Sequence, residues 1–208
     1  MYHRHGEQMR TKPEVFVIES LGFNDELKNR FEGKMIAHIL NHHKKKSKYF
    51  YIRTKKELEA VLKKFSKSRY RYLHLSCHGN SSEMATTLDS IKFDVLGKML
   101  RPFLNERRVF VSACDMVNDE LAHALIPNSG CYSVIGPCTR IEFGDAAIFW
   151  TTLYHLMFRF EAQSMKQKEL RENIGKISKL LQVDISYFSY SRNSKSGFKK
   201  KPFGNCSG

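Results

Sequence analysis

Short, continuously apolar runs recur along this chain, and each stops where a helical pattern begins. Val15, Phe16, Val17 and Ile18 form the first, Val109, Phe110 and Val111 a later one, and Ser133–Gly136 contributes Ser-Val-Ile-Gly. An uninterrupted β-branched and aromatic run suits a strand in a sheet covered on both faces. Between the runs lie stripes at helical spacing, such as Leu58, Val61, Leu62 and Phe65, or Leu170, Ile174, Ile177 and Leu181. Strands alternating with helices about every 30 residues imply a mostly parallel sheet with helices on both faces.

Six strands are expected: Glu14–Leu21, Tyr49–Arg53, Tyr70–Cys77, Arg108–Ala113, Cys131–Gly136 and an edge strand at Asp184–Tyr190. A hairpin is expected around Thr87–Phe93. Asp25 is positioned to cap a helix whose stripe is Leu27, Phe31, Met35 and Ile39. Thr54 and Glu57 form a capping-box signature. Pro102 should end the helix that starts near Asp94. Residues 145–160 are apolar nearly all round, as a deeply buried helix requires. The 208 residues suffice for one domain with a real core. That domain is expected over residues 14–190, with a basic arm at 1–13 and a basic, flexible tail at 191–208.

Several function classes are disfavoured. Only Gly22 follows the first strand, so the glycine pattern of a dinucleotide site is missing, and no phosphate-loop motif occurs. His42 and His43 have no Cys or acid at ligand spacing, so no metal is expected. No other cofactor is implied. The cysteines (Cys77, Cys114, Cys131, Cys138 and Cys206) are odd in number and include no C-x-x-C pair. They suggest a reducing, cytoplasmic setting. The N-terminus lacks the apolar core of a signal peptide, and no segment is apolar enough to imply a membrane span.

The chemistry gathers at two strand ends. Tyr70–Gly79 reads YRYLHLSCHG and delivers His78; Arg108–Asp115 reads RVFVSACD and delivers Cys114. In open α/β sheets, ligands bind at the C-terminal edge of the strands. A thiol and an imidazole at neighbouring tips are the parts of a cysteine–histidine dyad, with the imidazole able to move the thiol proton. The amides of Gly79 and Cys114 are candidate oxyanion donors. Cys77 should face the other side of its strand and serve packing, and Cys131 and Cys138 read as structural.

The blocks LHLSCHG (Leu73–Gly79), VFVSACD (Val109–Asp115) and SVIGP (Ser133–Pro137) resemble the CHAT domains of the caspase-like, clan CD cysteine peptidases. A Leu/Ala-rich helix at 121–125, Asp145 and the aromatic helix at 149–158 follow in matching order, so the resemblance spans about residues 70–177. It implies a caspase-like three-layer α/β sandwich and a cysteine endopeptidase acting on a protein substrate. Cys114 is then the nucleophile, His78 the general base or acid, and the Gly79 and Cys114 amides the oxyanion hole. It also implies a regulated effector with a separate activator, in settings that include antiviral defence. Two departures lie near the expected site for P1, the substrate residue whose carbonyl is attacked. Met116-Val117-Asn118 replaces a small, glycine-containing segment, and Cys138 or Thr139 stands where a tryptophan is usual.

A P1 pocket for Arg or Lys needs a buried carboxylate, for which Asp145 and Asp115 are candidates. Asp145 reads equally well as a helix N-cap. A pocket for Asp needs an arginine, for which Arg140 is the candidate. The net charge of +14 carries a rival reading. Residues 44–71 hold twelve Lys or Arg against two Glu, with Tyr49, Phe50 and Tyr51 interleaved. On that reading the chain is a non-catalytic module that binds nucleic acid or an acidic protein through its basic surface.

Overall fold

The computed structural model describes residues 11–159 and 164–206. In chain order its elements are β1 (Lys12–Glu19), α1 (Phe23–Leu27), α2 (Glu32–His42), β2 (Lys48–Tyr51), α3 (Lys55–Ser68), β3 (Tyr70–Ser76), β4 (His78–Gly79), β5 (Glu83–Ala85), β6 (Ser90–Lys92), α4 (Phe93–Leu100), a 3-10 turn (Arg101–Phe103), β7 (Arg108–Ser112), α5 (Asp119–Leu125), β8 (Ser133–Pro137), α6 (Phe143–Phe158), α7 (Gln167–Leu181), β9 (Ile185–Tyr190) and β10 (Phe198–Phe203).

The main sheet has seven strands in the order β10-β9-β8-β7-β3-β1-β2. The five strands from β8 to β2 pair in parallel, and β9 and β10 add antiparallel pairings at one end. Strand alternation divides the core. Phe16 and Ile18 point into one layer with α3, α4 and α5, while Val15 and Val17 point into the other with α2, α6 and α7. The result is a three-layer α/β sandwich.

Four expectations change. The sheet has seven strands rather than six, because Phe198–Phe203, within the expected flexible tail, pairs along the whole of β9. That strand makes β9 internal, and its Lys199, Lys201 and Pro202 blunt the outer edge. Lys12 and Pro13, assigned to the basic arm, already belong to β1; residues 1–10 lie outside the described residues. The helix expected after β1 is two helices, broken at Asn29, which has a left-handed φ of 53°. The face that α2 buries is Glu32, Gly33, Ile36 and Leu40, leaving Met35 exposed, and Leu27 on α1 is exposed too. Finally, Cys138 and Cys206 form a disulfide that ties the loop after β8 to the end of β10. Sixty-eight positions separate them, so no local spacing advertises the pair.

Other expectations hold. Thr54 and Glu57 make a reciprocal capping box. Asn118 caps α5 through a bond from the Leu121 amide, 3.0 Å. The 3-10 turn containing Pro102 closes α4. The expected hairpin is β5–β6, which with β4 forms a small second sheet. No helix among the described residues is long and apolar enough to cross a membrane.

Candidate active site

The strand order reverses between β1 and β3, and the residues following those strands and β7 meet at one sheet edge. Leu21, Glu32, Ser76, Cys77, His78, Ser112, Ala113 and Cys114 line a narrow pocket there, closed by Ile141, Phe143 and Ala146. β3 and β7 are hydrogen-bonded neighbours in register Ser76↔Ser112. Two residues beyond each of these serines stand His78 and Cys114.

Cys114 sits in the sharp turn that ends β7. Asp115 takes a left-handed φ of 56° there, which Asp tolerates better than most residues. The turn is pinned from the loop after β8, where the Thr139 carbonyl accepts from the Asp115 amide, 3.2 Å. The Cys114 thiol donates to the Ile141 carbonyl, 3.6 Å, and makes no hydrogen bond to His78. Among the described residues the Cys114 amide donates to no protein group.

His78 Nε2 lies 2.7 Å from Asp25 Oδ2. The other carboxylate oxygen of Asp25 accepts from Arg30, 3.0 Å, and the Arg30 guanidinium lies over the Phe143 ring. Phe143 in turn meets His78 edge-on, with ring centroids 5.5 Å apart. Partial burial alone raises the Asp25 pKa, but the bonds and charges of His78 and Arg30 outweigh it and hold the carboxyl below its ordinary range. With Nε2–H donated to Asp25, the neutral imidazole keeps its lone pair on Nδ1.

Gly79 is constrained on both sides. A Cβ there would lie 2.6 Å from Met116 Cγ and Sδ. The Asn80 amide donates to the Glu83 carbonyl, 3.0 Å. By antiparallel alternation, Gly79 opposite Met84 is then the non-hydrogen-bonded pair, and its amide points away from β5. Met116 and Val117 are fully buried. Val117 fills the space over Gly136, where a Cβ would meet it at 2.7 Å and the Val111 carbonyl at 2.2 Å.

Three sequence candidates stand elsewhere. Asp145 is exposed in the first turn of α6 and is not its N-cap, a position held by Glu142. Arg140 is 82% exposed and pairs with Glu142, 3.6 Å. Asp115 is half-buried at the β7 turn. None of the three lines the pocket of His78 and Cys114.

Two acids that the sequence did not mark as functional lie closer, Glu32 on the pocket wall and Asp25 bonded to His78. Asp25, read as a helix cap, is the partner of His78. Glu32, in the first turn of α2, is 4% exposed; its Oε2 accepts from the Ser112 hydroxyl, 2.8 Å, and its Oε1 lies 3.4 Å from His74 Nε2. Cys77 lines the pocket as well, and burial pushes its thiol pKa far above the ordinary value, so it stays protonated. His43 contacts His155 at 3.1 Å, but the described residues hold no group of three or more His, Cys, Asp or Glu able to bind a metal ion.

Solved structures that share this fold include cysteine proteases. A secreted C11 cysteine protease from Bacteroides thetaiotaomicron, "iotapain", matches with a TM-score of 0.57 at 11% identity, over 86% of this chain and 67% of that one. Caspase-1 from Spodoptera frugiperda matches with a TM-score of 0.55 at 12% identity, over 93% of this chain and 85% of that one. The fold is caspase-like. No family model and no curated protein matches the sequence. In this caspase-like fold the pocket of His78 and Cys114 opens at the C-terminal edge of the parallel strands, beside the reversal of strand order.

Proposed function

We propose that the chain is a cysteine endopeptidase of the CHAT type. The observation that carries this reading is that Cys114 and His78 line one pocket while Asp25 holds Nε2 of His78. Cys114 Sγ attacks the substrate carbonyl and its proton passes to His78 Nδ1. The carbonyl oxygen takes the negative charge, facing the free amides of Gly79 and Cys114. His78 then protonates the departing amine as the C–N bond breaks, leaving a thioester on Cys114. Water, deprotonated by His78, cleaves the thioester and returns the thiol. Asp25 keeps the imidazole in the useful tautomer and offsets the imidazolium charge, without taking its proton. No step needs a metal.

At rest the thiol is turned to Ile141 rather than to His78. This supports control by a separate activator that reorients Cys114. The test is digestion of a broad peptide library by the wild type and by Cys114→Ala. Cleavage by the wild type alone is the expected result. Cleavage that survives Cys114→Ala overturns the reading.

A second reading is favoured by one observation: Lys56, Lys63, Lys64 and Lys67 are all exposed along α3, with Lys46 and Lys48 exposed in and just before β2. A nucleic-acid-binding role predicts affinity that falls steeply with salt, measured by titrating a labelled oligonucleotide at two ionic strengths.

A further inference from the structure

The short helix α1 ends in a way that joins two charged residues. Asn29 has a left-handed φ of 53°. Its amide donates to the Glu26 carbonyl, 3.0 Å, and the Arg30 amide donates to the Asp25 carbonyl, 3.0 Å. These are the two bonds of a Schellman motif, which brings a residue of the last helical turn beside the residue that follows the left-handed one. A hydrophobic contact frequently joins those two places. Here they hold an ion pair, in which Arg30 Nη1 donates to Asp25 Oδ1, 3.0 Å. The other oxygen of the same carboxylate, Oδ2, is the one that faces His78 Nε2.

Arg30 also reaches a second neighbour of the imidazole. Its guanidinium carbon lies 5.1 Å from the centroid of the Phe143 ring, and that ring meets His78 edge-on at 5.5 Å. His78, Asp25, Arg30 and Phe143 thus close a ring of contacts. The Arg30 side chain is 43% exposed, so solvent screens its attraction for Asp25 and the pair adds little to stability. What the ring of contacts fixes is geometry. With Oδ1 held by Arg30, the carboxylate cannot turn about its Cβ–Cγ bond without losing a hydrogen bond, so Oδ2 stays aimed at Nε2. A planar guanidinium can bond in its plane and stack on its face at once, which an ammonium cannot. Phe143 stands two positions after Ile141, whose carbonyl receives the Cys114 thiol, so the same contacts set His78 against the segment that holds the nucleophile. The other ionisable residues lining the pocket are Glu32, Cys77 and Cys114, and among the described residues none of them hydrogen-bonds the imidazole.

We propose that Arg30 is a positioning residue, which acts through Asp25 and Phe143 to hold the His78 ring with Nε2 protonated and Nδ1 bare. The catalytic consequence rests on the peptidase reading; the effect on the ring does not.

Two measurements keep these apart. The first labels histidine with nitrogen-15 in the full chain carrying Cys114→Ala and records the ring nitrogens of neutral His78 by NMR, assigned by their loss in a His78→Gln control. The expected parent spectrum has Nδ1 at the bare-nitrogen position and Nε2 at the protonated one. Arg30→Gln moves both toward the average of mixed tautomers. Arg30→Lys, which keeps the charge but not the planar stack, moves them less. A single tautomer retained in Arg30→Gln overturns the proposal, as does a mixture in the parent. The second measures kcat and KM on a peptide that the wild type cleaves. Arg30→Gln is expected to lower kcat roughly 10- to 100-fold, the size of loss that misplacing a reacting group produces, with KM little changed. Arg30→Lys restores part of the rate. An unchanged kcat in Arg30→Gln overturns the proposal. Because the Arg30 pair adds little to stability, all variants should unfold in urea near the parent midpoint, so neither readout reports misfolding. A tautomer shift with no cleavage by any of the proteins sustains the role of Arg30 and counts against the peptidase reading alone.

Discussion

His78 Nε2 and Asp25 Oδ2 stand 2.7 Å apart although 53 positions separate them in the chain. Asp25 comes from the short helix after β1, and His78 from the residues just past β3. With Nε2–H donated to Asp25, the lone pair stays on Nδ1, the nitrogen that takes the Cys114 proton in the proposed reaction. Asp25→Asn keeps the size of the side chain but allows its amide to donate to Nε2 and so to favour the opposite tautomer. The expected result is a fall in kcat/KM of about 100- to 10,000-fold with little change in KM. The pH profile gives a second check. The Asp25 pKa is lowered by His78 and Arg30 against the opposing effect of burial. Its contribution to stability is therefore complete above the ordinary aspartate value and is lost as pH falls through the lowered one. Acid unfolding of Asp25→Asn should begin from a lower plateau and show a shallower dependence in that range.

Gly79 and Met116 make the second test. A Cβ at residue 79 would sit 2.6 Å from Met116 Cγ and Sδ and 3.1 Å from the Glu83 carbonyl. Gly79→Ala is expected to lose about 1–3 kcal/mol of stability through overpacking. It should also lower kcat, by up to roughly 100-fold, because relieving the clash shifts the residue-79 backbone and misplaces an amide that Ala still carries. Adding Met116→Ala should recover part of the stability, measured by denaturant unfolding. Additive losses in the double variant would mean that the clash is elsewhere.

The strands and the two-faced helical packing are legible because each is written in a local period. Val15–Ile18 alternates its side chains between two cores, and the Leu58–Phe65 stripe lies on one helix face. His78 and Cys114 are legible for the same reason: each follows a readable strand. Asp25 and Glu32 are not, because their roles depend on contacts across 53 and 80 positions, to His78 and to Ser112. Locally, an acid near the start of a helix reads as a cap or a dipole partner, and nothing in the spacing contradicts that. The two helices are also parted by the left-handed turn at Asn29, which shifts every later residue off the expected stripe and sends Glu32 inward. β10 was hidden by its composition, since Phe-Lys-Lys-Lys-Pro-Phe reads as a solvated tail until β9 supplies a partner.

The Cys138–Cys206 disulfide anchors the loop after β8 that contacts the Cys114 turn. Cys138 precedes Thr139, whose carbonyl holds the Asp115 amide, and Ile141, whose carbonyl receives the Cys114 thiol. Cys206→Ser is expected to cost about 2–4 kcal/mol of stability. A reductant should destabilise the wild type by a similar amount and leave the variant unchanged. Freed from its anchor, the loop should hold Cys114 less firmly, so alkylation of Cys114 by iodoacetamide should quicken severalfold on reduction. Cys77 and Cys131 should stay unlabelled in the folded protein, because burial raises both thiol pKa values, that of Cys131 to about 12. Mass spectrometry of the labelled peptides reads both outcomes.

Glu19 carries the last prediction. It is fully buried at the end of β1, with one oxygen accepting from the Gly33 amide and the other from the Tyr49 hydroxyl, both at 2.7 Å. Burial raises its pKa, aided by the nearby Glu32 charge, and the two hydrogen bonds together with Lys34 only partly offset this. A raised folded pKa means that the native state holds its proton more tightly than the unfolded chain does. Stability from Glu19 is thus fully present below the ordinary glutamate value and is lost as pH rises through the raised one. Glu19→Gln keeps an oxygen for the Gly33 amide and removes the titration. The stability of the variant relative to the wild type should therefore climb as pH rises from about 4, at no more than about 1.4 kcal/mol per pH unit, and level off once Glu19 is ionised. Urea unfolding of the two proteins at several pH values measures that difference. A difference that stays flat across the range would mean that the Tyr49 and Gly33 bonds, not burial, set the charge state of Glu19.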